Sequence, residues 1–278
     1  MKNHLFIASV CITFTSIMHA ESFDSLEQAL VAPEKATTLS ILCCVDLSKD
    51  GKEVGETKYD PAIKHLPSQL GTLINLVELD ISCLENLEDL PSEIGNLKKL
   101  EKLVIDNGNG CQMNISVPES IGNLSNLKVL RLYGALDPTD LSDTNKPIPP
   151  SKVKSLPGTI GKLQNLEELD LGRNRIKSIP SQIASLQKLK RLALDHNDID
   201  ELPAFVGNLK NLQELSVCSN GGIKLPKSLA NLNGLKIFMG NNRLKIKDQK
   251  KLRRLFPKAT FSFENEFDDS AANEETPK

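Results

Sequence analysis

Apolar positions along the chain return with a period close to 23 residues. An aliphatic residue followed by proline stands at Leu66-Pro67, Leu90-Pro91, Val117-Pro118, Leu156-Pro157, Ile179-Pro180, Leu202-Pro203 and Leu225-Pro226, at intervals of 24, 27, 39, 23, 23 and 23 residues. A regular unit, 156–178, carries Leu156, Ile160, Leu163, Leu166, Leu169, Leu171 and Ile176, with Asn174 as the one polar residue of the set. The next unit repeats it with Ile179, Ile183, Leu186, Leu189, Leu192, Leu194, Asn197 and Ile199. Leu169 and Leu171 alternate with Glu168, Asp170 and Gly172, the period-two signal of a short strand with one buried face. Stacked copies of such a strand predict a parallel sheet. Asn174 is expected to turn inward, where its amide satisfies backbone groups of the neighbouring turn. The proline belongs to an irregular stretch where no ladder donor is lost. The Ile-Gly-x-Leu that follows predicts a short helical turn whose glycine lets adjacent coils approach closely.

The run Leu-x-x-Leu-x-Leu-x-x-Asn resembles the leucine-rich repeat, over about residues 66–247. The Leu-Pro-x-x-Ile-Gly-x-Leu version at 66–73, 90–97, 117–124 and 156–163 looks like the Ras-suppressor and plant intracellular Ras-group type. The resemblance implies an α/β fold: a leucine-rich repeat solenoid, or horseshoe, with a parallel sheet on the concave face, a short helical or irregular convex side, and a cap at each end.

A solenoid exposes apolar edges at both ends unless they are capped. Segment 21–65 is read as an N-terminal cap with an irregular first repeat: a helix over 25–32, with Asp24 or Ser25 as N-cap and Pro33 ending it. The first strand then begins either at Ala36, Leu39 and Ile41 or in a register using Val45 and Leu47. The first register is favoured because it is similar to the N-terminal cap of exported bacterial leucine-rich repeat proteins. Seven repeats fill 66–247, and 248–263 forms the C-terminal cap: a helix over 248–256, with Leu252, Leu255 and Phe256 on one face, then an alternating strand over 259–263. Two insertions depart from the period, one within 134–155 that adds 16 residues to the third repeat and one between Asp50 and His65. Insertions of this kind map to loops on one face, often the binding face. A neutral surface expansion is the other reading, since long loops cost little closure entropy.

The first twenty residues differ from the rest. Lys2, a mostly apolar stretch 5–17 and the small Ala20 occur in the order of a secretory signal peptide, and the apolar stretch is shorter than the roughly 20 residues that span a bilayer. The expected location is therefore exported: secreted, periplasmic or cell surface, without stable membrane insertion. The last fifteen residues, 264–278, hold six acids against Lys278 and are expected to be disordered. The chain is 39% hydrophobic and 25% charged, with a net charge of −2, no Trp and two Tyr. That balance argues against nucleic-acid binding, which draws on clustered cations and stacking aromatics. Six cysteines are present without a C-x-x-C pair, so a thiolate zinc site has no support. Cys83 and Cys111 follow adjacent predicted strands and would pair if a four-residue insertion in the second repeat folds back, whereas Cys218 is expected to stay unpaired.

Catalytic chemistry finds little footing. His65 and His196 remain outside the signal segment, and His196 lies one coil from Cys218 and Ser219 without an evident orienting partner. Asp137, Asp140, Asp143 and Asn145 carry oxygen donors, but their spacing does not match an EF-hand loop. No catalytic residue, metal site or cofactor is therefore assigned, and an enzyme is not expected. The resemblance implies macromolecular binding through the concave face and rim loops, with another protein as first expectation and a glycan as second. The alternative is a secreted, non-catalytic effector that regulates a host signalling enzyme. Among the side chains expected to point out of the sheet, Val104, Val129, Arg131 and Tyr133, beside Asp106, bring apolar area together with the Arg and Tyr types enriched at binding hot spots. They also adjoin the largest insertion.

Overall fold

The computed structural model describes residues 21–22, 26–41, 63–81, 84, 87–106, 115–134 and 156–263. The proposed signal peptide, Asp24, Ser25, Cys43, Cys44, Cys83, Cys111, the insertions at 50–62 and 135–155, and the acidic tail lie outside these residues.

Among the described residues ten strands form one open sheet in chain order, every neighbouring pair parallel. They are β1 (Glu21–Ser22), β2 (Ala36–Ile41), β3 (Glu78–Ile81), β4 (Lys102–Asp106), β5 (Val129–Tyr133), β6 (Glu168–Asp170), β7 (Arg191–Ala193), β8 (Glu214–Ser216), β9 (Lys236–Phe238) and β10 (Thr260–Ser262). Between successive strands from β2 to β9 the chain returns through a five-residue 3₁₀ turn, such as Ser92–Asn96 or Glu119–Asn123. The fold is thus the leucine-rich repeat solenoid expected from the sequence, with the sheet on one side and short turns on the other. Its first full strand occupies Ala36–Ile41, the first of the two registers open in the sequence.

The proline explains where each turn begins. In the turn 92–96, Pro91 sits at the N-cap with φ −63° and ψ 144°, and Leu97 closes the turn by donating its N–H to the Ile94 carbonyl at 3.1 Å. The ring presets φ and lacks a donor that no acceptor would meet there. The glycine explains how tightly the coils stack. A Cβ on Gly71 would lie 2.5 Å from Glu93 Cβ, and one on Gly122 would lie 2.5 Å from the Thr159 carbonyl oxygen.

The core is a set of aligned rows. Leu39, Leu79, Leu103, Leu130, Leu169, Leu192, Leu215, Ile237 and Phe261 pair in register across the sheet, and all are buried. Inside the turn after β6, Asn174 donates Nδ2 to the carbonyls of Leu132 (2.7 Å) and Leu171 (2.9 Å). Asn197 and Asn220 do the same one and two coils on, as their spacing predicted. Asn242 adds a fourth rung, 22 residues after Asn220, donating to Val217 (2.8 Å) and Met239 (3.1 Å). A second ladder, unread in the sequence, runs along the opposite corner. There Asn75, Asn126, Asn165 and Asn211 donate to the carbonyls of Glu34, Lys98, Ser125 and Gln187 at 2.7 to 2.8 Å.

At the ends, α1 spans Leu26–Val31 and α2 spans Ile246–Leu255. Helix α2 begins two residues before the expected start, at an N-cap, Lys245, that gives no side-chain hydrogen bond. Phe256 is buried and Leu252 partly so, but Leu255 is 45% exposed, which corrects its expected place on the packed face. Leu255 lies three positions from Leu252, and the side chain that completes the packed face is the next residue, Phe256.

Candidate functional site

Side chains on the uncovered face of the sheet also form rows. The first runs Glu78, Lys102, Val129, Glu168, Arg191, Glu214 and Lys236 on β3 to β9. Its charges alternate for most of its length, and neighbours pair: Lys102 with Glu78 at 3.3 Å and Lys236 with Glu214 at 3.5 Å. The second row runs Asp80, Val104, Arg131, Asp170, Ala193, Ser216 and Phe238.

The five residues singled out in the sequence come together on β4 and β5, where Lys102 pairs with Val129, Val104 with Arg131 and Asp106 with Tyr133. Each plays a different part. Arg131 reaches diagonally to Glu168, Nε to Oε1 at 2.7 Å, with Glu168 the more enclosed partner at 19% side-chain exposure against 42%. That bond holds the guanidinium pKa above its ordinary value, against the opposing effect of burial. Tyr133 leans over the same neighbouring coil, further along the chain. Its ring lies so close over Gly172 that an added Cβ there would meet Cδ2 at 2.8 Å, and the Arg173 guanidinium stands 5.5 Å from the ring centroid. Gly172 therefore serves the tyrosine, a pairing that the spacing of the repeat does not reveal.

Val104 differs from its expected role as apolar surface: only 7% of it is exposed, between Asp80 and Arg131 in the sheet. Neighbouring strands of a sheet lie about 4.8 Å apart, close enough for the stem of an arginine to cover a valine beside it. Val129 stays half-buried between Lys102 and Glu168. The apolar side chain missed is Phe238, on the same face at β9 and 36% exposed. The shortened last repeat hid it, since its register with Ser216 is visible only once Asn242 is placed as the ladder residue.

Carboxylates concentrate towards β6 to β8. Asp170 accepts the Gly172 N–H at 2.9 Å, yet burial pushes its pKa up, with Asp195 adding repulsion. Asp195 in turn accepts Ser216 Oγ at 2.5 Å and the Cys218 N–H at 2.7 Å. Cys218 is a free thiol whose pKa is pushed up, first by burial and then by Asp195. His196, one coil away, gives its backbone N–H to the Cys218 carbonyl at 2.9 Å and sits in the left-handed region with φ 53°. A reactive thiol requires a depressed pKa beside a positive group, so this grouping works against nucleophilic chemistry. His65 lies elsewhere, 3.0 Å from Asp89 on an exposed bridge. Among the described residues no group of His, Cys, Asp and Glu is arranged to hold a metal ion, and no helix is long and apolar enough to cross a membrane. Asp137, Asp140, Asp143 and Asn145 lie outside them.

Known proteins agree with this architecture. Residues 148–257 match a family described as a leucine-rich repeat region. A uridine 5'-monophosphate transferase of Xanthomonas campestris pv. campestris is 32% identical over 109 residues, which is 39% of this chain. The chain spans only 18% of that relative's length. Among solved structures, the leucine-rich repeat domain of the type III effector XopL is similar at a TM-score of 0.50 and 27% identity, covering 63% of this chain and 57% of that one. Internalin C2 of Listeria monocytogenes aligns over 84% of each chain at 20% identity and a TM-score of 0.49. With the repeat legible in the sequence and the solenoid formed in the structure, the chain has the fold of leucine-rich repeat proteins. Such solenoids are in general binding modules, their curvature providing an extended concave surface.

Proposed function

We propose that this chain is a non-catalytic binding protein that holds another protein against its concave sheet, centred on Val104, Asp106, Val129, Arg131 and Tyr133. The observation that carries the reading is the fixed pose of Tyr133 and Arg131. One is seated on Gly172 under Arg173, the other is held by Glu168, so both side-chain types favoured at hot spots are ordered before a partner arrives. Little rotamer entropy then remains to be lost on binding. Absence of catalysis fits the same surface, because its charged groups are tied to one another and its thiol is disarmed by burial. A glycan is a weaker fit, since only one aromatic side chain stands in the patch.

Export belongs to this proposal, through removal of residues 1–20. Intact mass of the protein from its native host tests it, and a mature chain beginning at Met1 would contradict it. A second reading, a secreted non-catalytic effector acting on a host signalling enzyme, draws on the likeness to the repeat domain of the type III effector. The transferase activity named for the 32% relative belongs to a protein most of whose length has no counterpart here. A photoreactive residue placed at 133, with one at Ile74 on the turn side as control, distinguishes the faces. A protein adduct from position 133 alone is expected. Adducts from position 74 alone would place binding on the other side.

A further inference from the structure

Helix α2 is the return of the last coil and lies in the most cationic stretch among the described residues. Between 245 and 258 stand Lys245, Lys247, Lys250, Lys251, Arg253, Arg254 and Lys258 against the single acid Asp248, a net charge of +6. Along the repeats, cations such as Lys64, Lys128 and Lys190 meet a carboxylate one coil away, on Glu88, Glu101 and Glu167, at 2.7 to 2.9 Å. Lys247, Lys250, Lys251 and Arg254 are exposed and make no ion pair among the described residues. Their spacing of i, i+3, i+4 and i+7 gathers all four in one stripe of the helix, within an arc of about 100°. Like charges side by side at this spacing weaken a helix, so the stripe does not serve the stability of α2 itself.

Other side chains of the helix are committed to the fold. Leu252 and Phe256 pack on the core, on the side of α2 opposite the stripe. Arg253 donates Nη2 to the Phe261 carbonyl at 3.3 Å and holds its guanidinium 5.1 Å from the Phe263 ring, which is itself stacked on Phe261. Ile246, 70% exposed, and Leu255, 45% exposed, stand about a quarter turn to either side of the stripe, one at each end of the helix. The solvent face of α2 is thus a cationic stripe bracketed by two uncovered aliphatic side chains, and the helix itself has no exposed aromatic ring.

We propose that α2 is a docking surface for an anionic phospholipid bilayer, meeting headgroup phosphates with Lys247, Lys250, Lys251 and Arg254 and the edge of the apolar layer with Ile246 and Leu255. Charge complementarity selects the class of partner, since a cluster of four exposed cations on a helix face matches negatively charged lipid. The aliphatic flanks select a bilayer over a nucleic acid, which has no apolar layer to receive them and for which α2 offers no stacking ring. Three of the four cations are lysines, compact charges on flexible stems that follow mobile headgroups without the fixed fork of an arginine. At ten residues, about 15 Å, α2 is far shorter than the roughly 30 Å hydrocarbon core, so it lies on the surface and does not cross it. The chain as a whole carries a net charge of −2, so attraction to an anionic surface comes from this local stripe. The patch on β4 and β5 lies four strands or more before β9, about 20 Å along the sheet, and stays open while α2 is on the membrane.

Co-sedimentation of the full chain with lipid vesicles tests this. Vesicles of mixed phosphatidylglycerol and phosphatidylcholine should carry the parent down at low salt, vesicles of phosphatidylcholine alone should not, and added salt should release it. Lys247→Gln, Lys250→Gln, Lys251→Gln and Arg254→Gln together, all at exposed positions, should lower affinity for the anionic vesicles on the order of a hundredfold or more. Circular dichroism should show the fold retained. Ile246→Ser with Leu255→Ser keeps every charge and should weaken the same binding about tenfold, through lost apolar burial alone. A parent that stays in solution beside the anionic vesicles would overturn the proposal. A folded quadruple variant that binds like the parent would do the same by placing the contact elsewhere on the molecule. Undiminished binding by the aliphatic variant would also overturn it, leaving α2 a surface for any polyanion.

Discussion

At the scale of single residues, the buried asparagines hold the coils in register. Asn197 is the most connected: besides the three bonds its Nδ2 donates, to the carbonyls of Leu171, Leu194 and Asp195, its Oδ1 accepts the N–H groups of Asn174 at 3.1 Å and Ile176 at 3.0 Å. Asn197→Ala strands those groups in a 4% exposed position and is expected to cost about 2–4 kcal/mol, read as a fall in the urea midpoint. A midpoint equal to the parent's would mean that water replaces the amide. Asp170 makes the opposite contribution. Its folded-state pKa is raised, so the native state holds the proton more firmly than the unfolded chain does. Ionisation therefore lowers stability as the pH rises above the ordinary carboxylate range. Asp170→Asn keeps an oxygen for the Gly172 N–H and removes the charge. The variant is expected to melt above the parent at pH 7, with the gap closing in acid where both carry a neutral side chain. A gap that widens in acid would reverse the sign.

Individual elements show two solutions to one turn. Strands β6 to β9 are three residues long because an inward asparagine turns the chain immediately afterwards. Strands β4 and β5 pair over five residues, adding Ile105 with Leu132 and Asp106 with Tyr133 to the ladder. In the earlier repeats the asparagine position holds Leu84, buried at 4% exposure, Gly108 or Ala135, the last two outside the described residues. Hydrogen exchange should protect 169–215 more than 79–132, since local opening in a solenoid depends on coupling between neighbouring coils. The amides of Ile176 and Ile199, which donate to Asn197 and Asn220, should be among the slowest. The opposite ranking would show that the longer ladders of β4 and β5 compensate fully. These contrasts mark what the sequence makes legible. Period, strand faces, the Asn174 and Asn197 rungs and the turn glycines follow from residue spacing alone. The seat of Tyr133 on Gly172 and the grip of Arg131 on Glu168 arise between residues 37 to 39 apart across an insertion, and the burial of Val104 between Asp80 and Arg131 arises between neighbouring coils, where no local pattern reports them. The second asparagine ladder was visible as the recurring Asn-Leu of Asn75-Leu76, Asn126-Leu127, Asn165-Leu166 and Asn211-Leu212, but nothing in the spacing says what those amides bond.

Taken as a whole molecule, the solenoid separates its charges by face and by end. Alternating, paired charges line the sheet, and unpaired cations gather at the last cap. Between them, β4 and β5 hold the patch on which the proposed function rests, at the point where the chain runs into the largest insertion. Truncating Arg131 is not free for the fold, because it leaves the enclosed Glu168 carboxylate without its guanidinium; with Arg131 itself 42% exposed, that cost stays below about 1 kcal/mol. Binding should lose more. With the protein captured from position 133 in hand, the decisive measurement is its affinity for the parent, Tyr133→Ala and Arg131→Ala, each variant first shown to be folded. Each substitution is expected to weaken binding by about 1–3 kcal/mol, or roughly 5- to 150-fold in Kd. Two folded variants that bind with the parent's affinity would contradict the concave patch and move the site to the rim insertions.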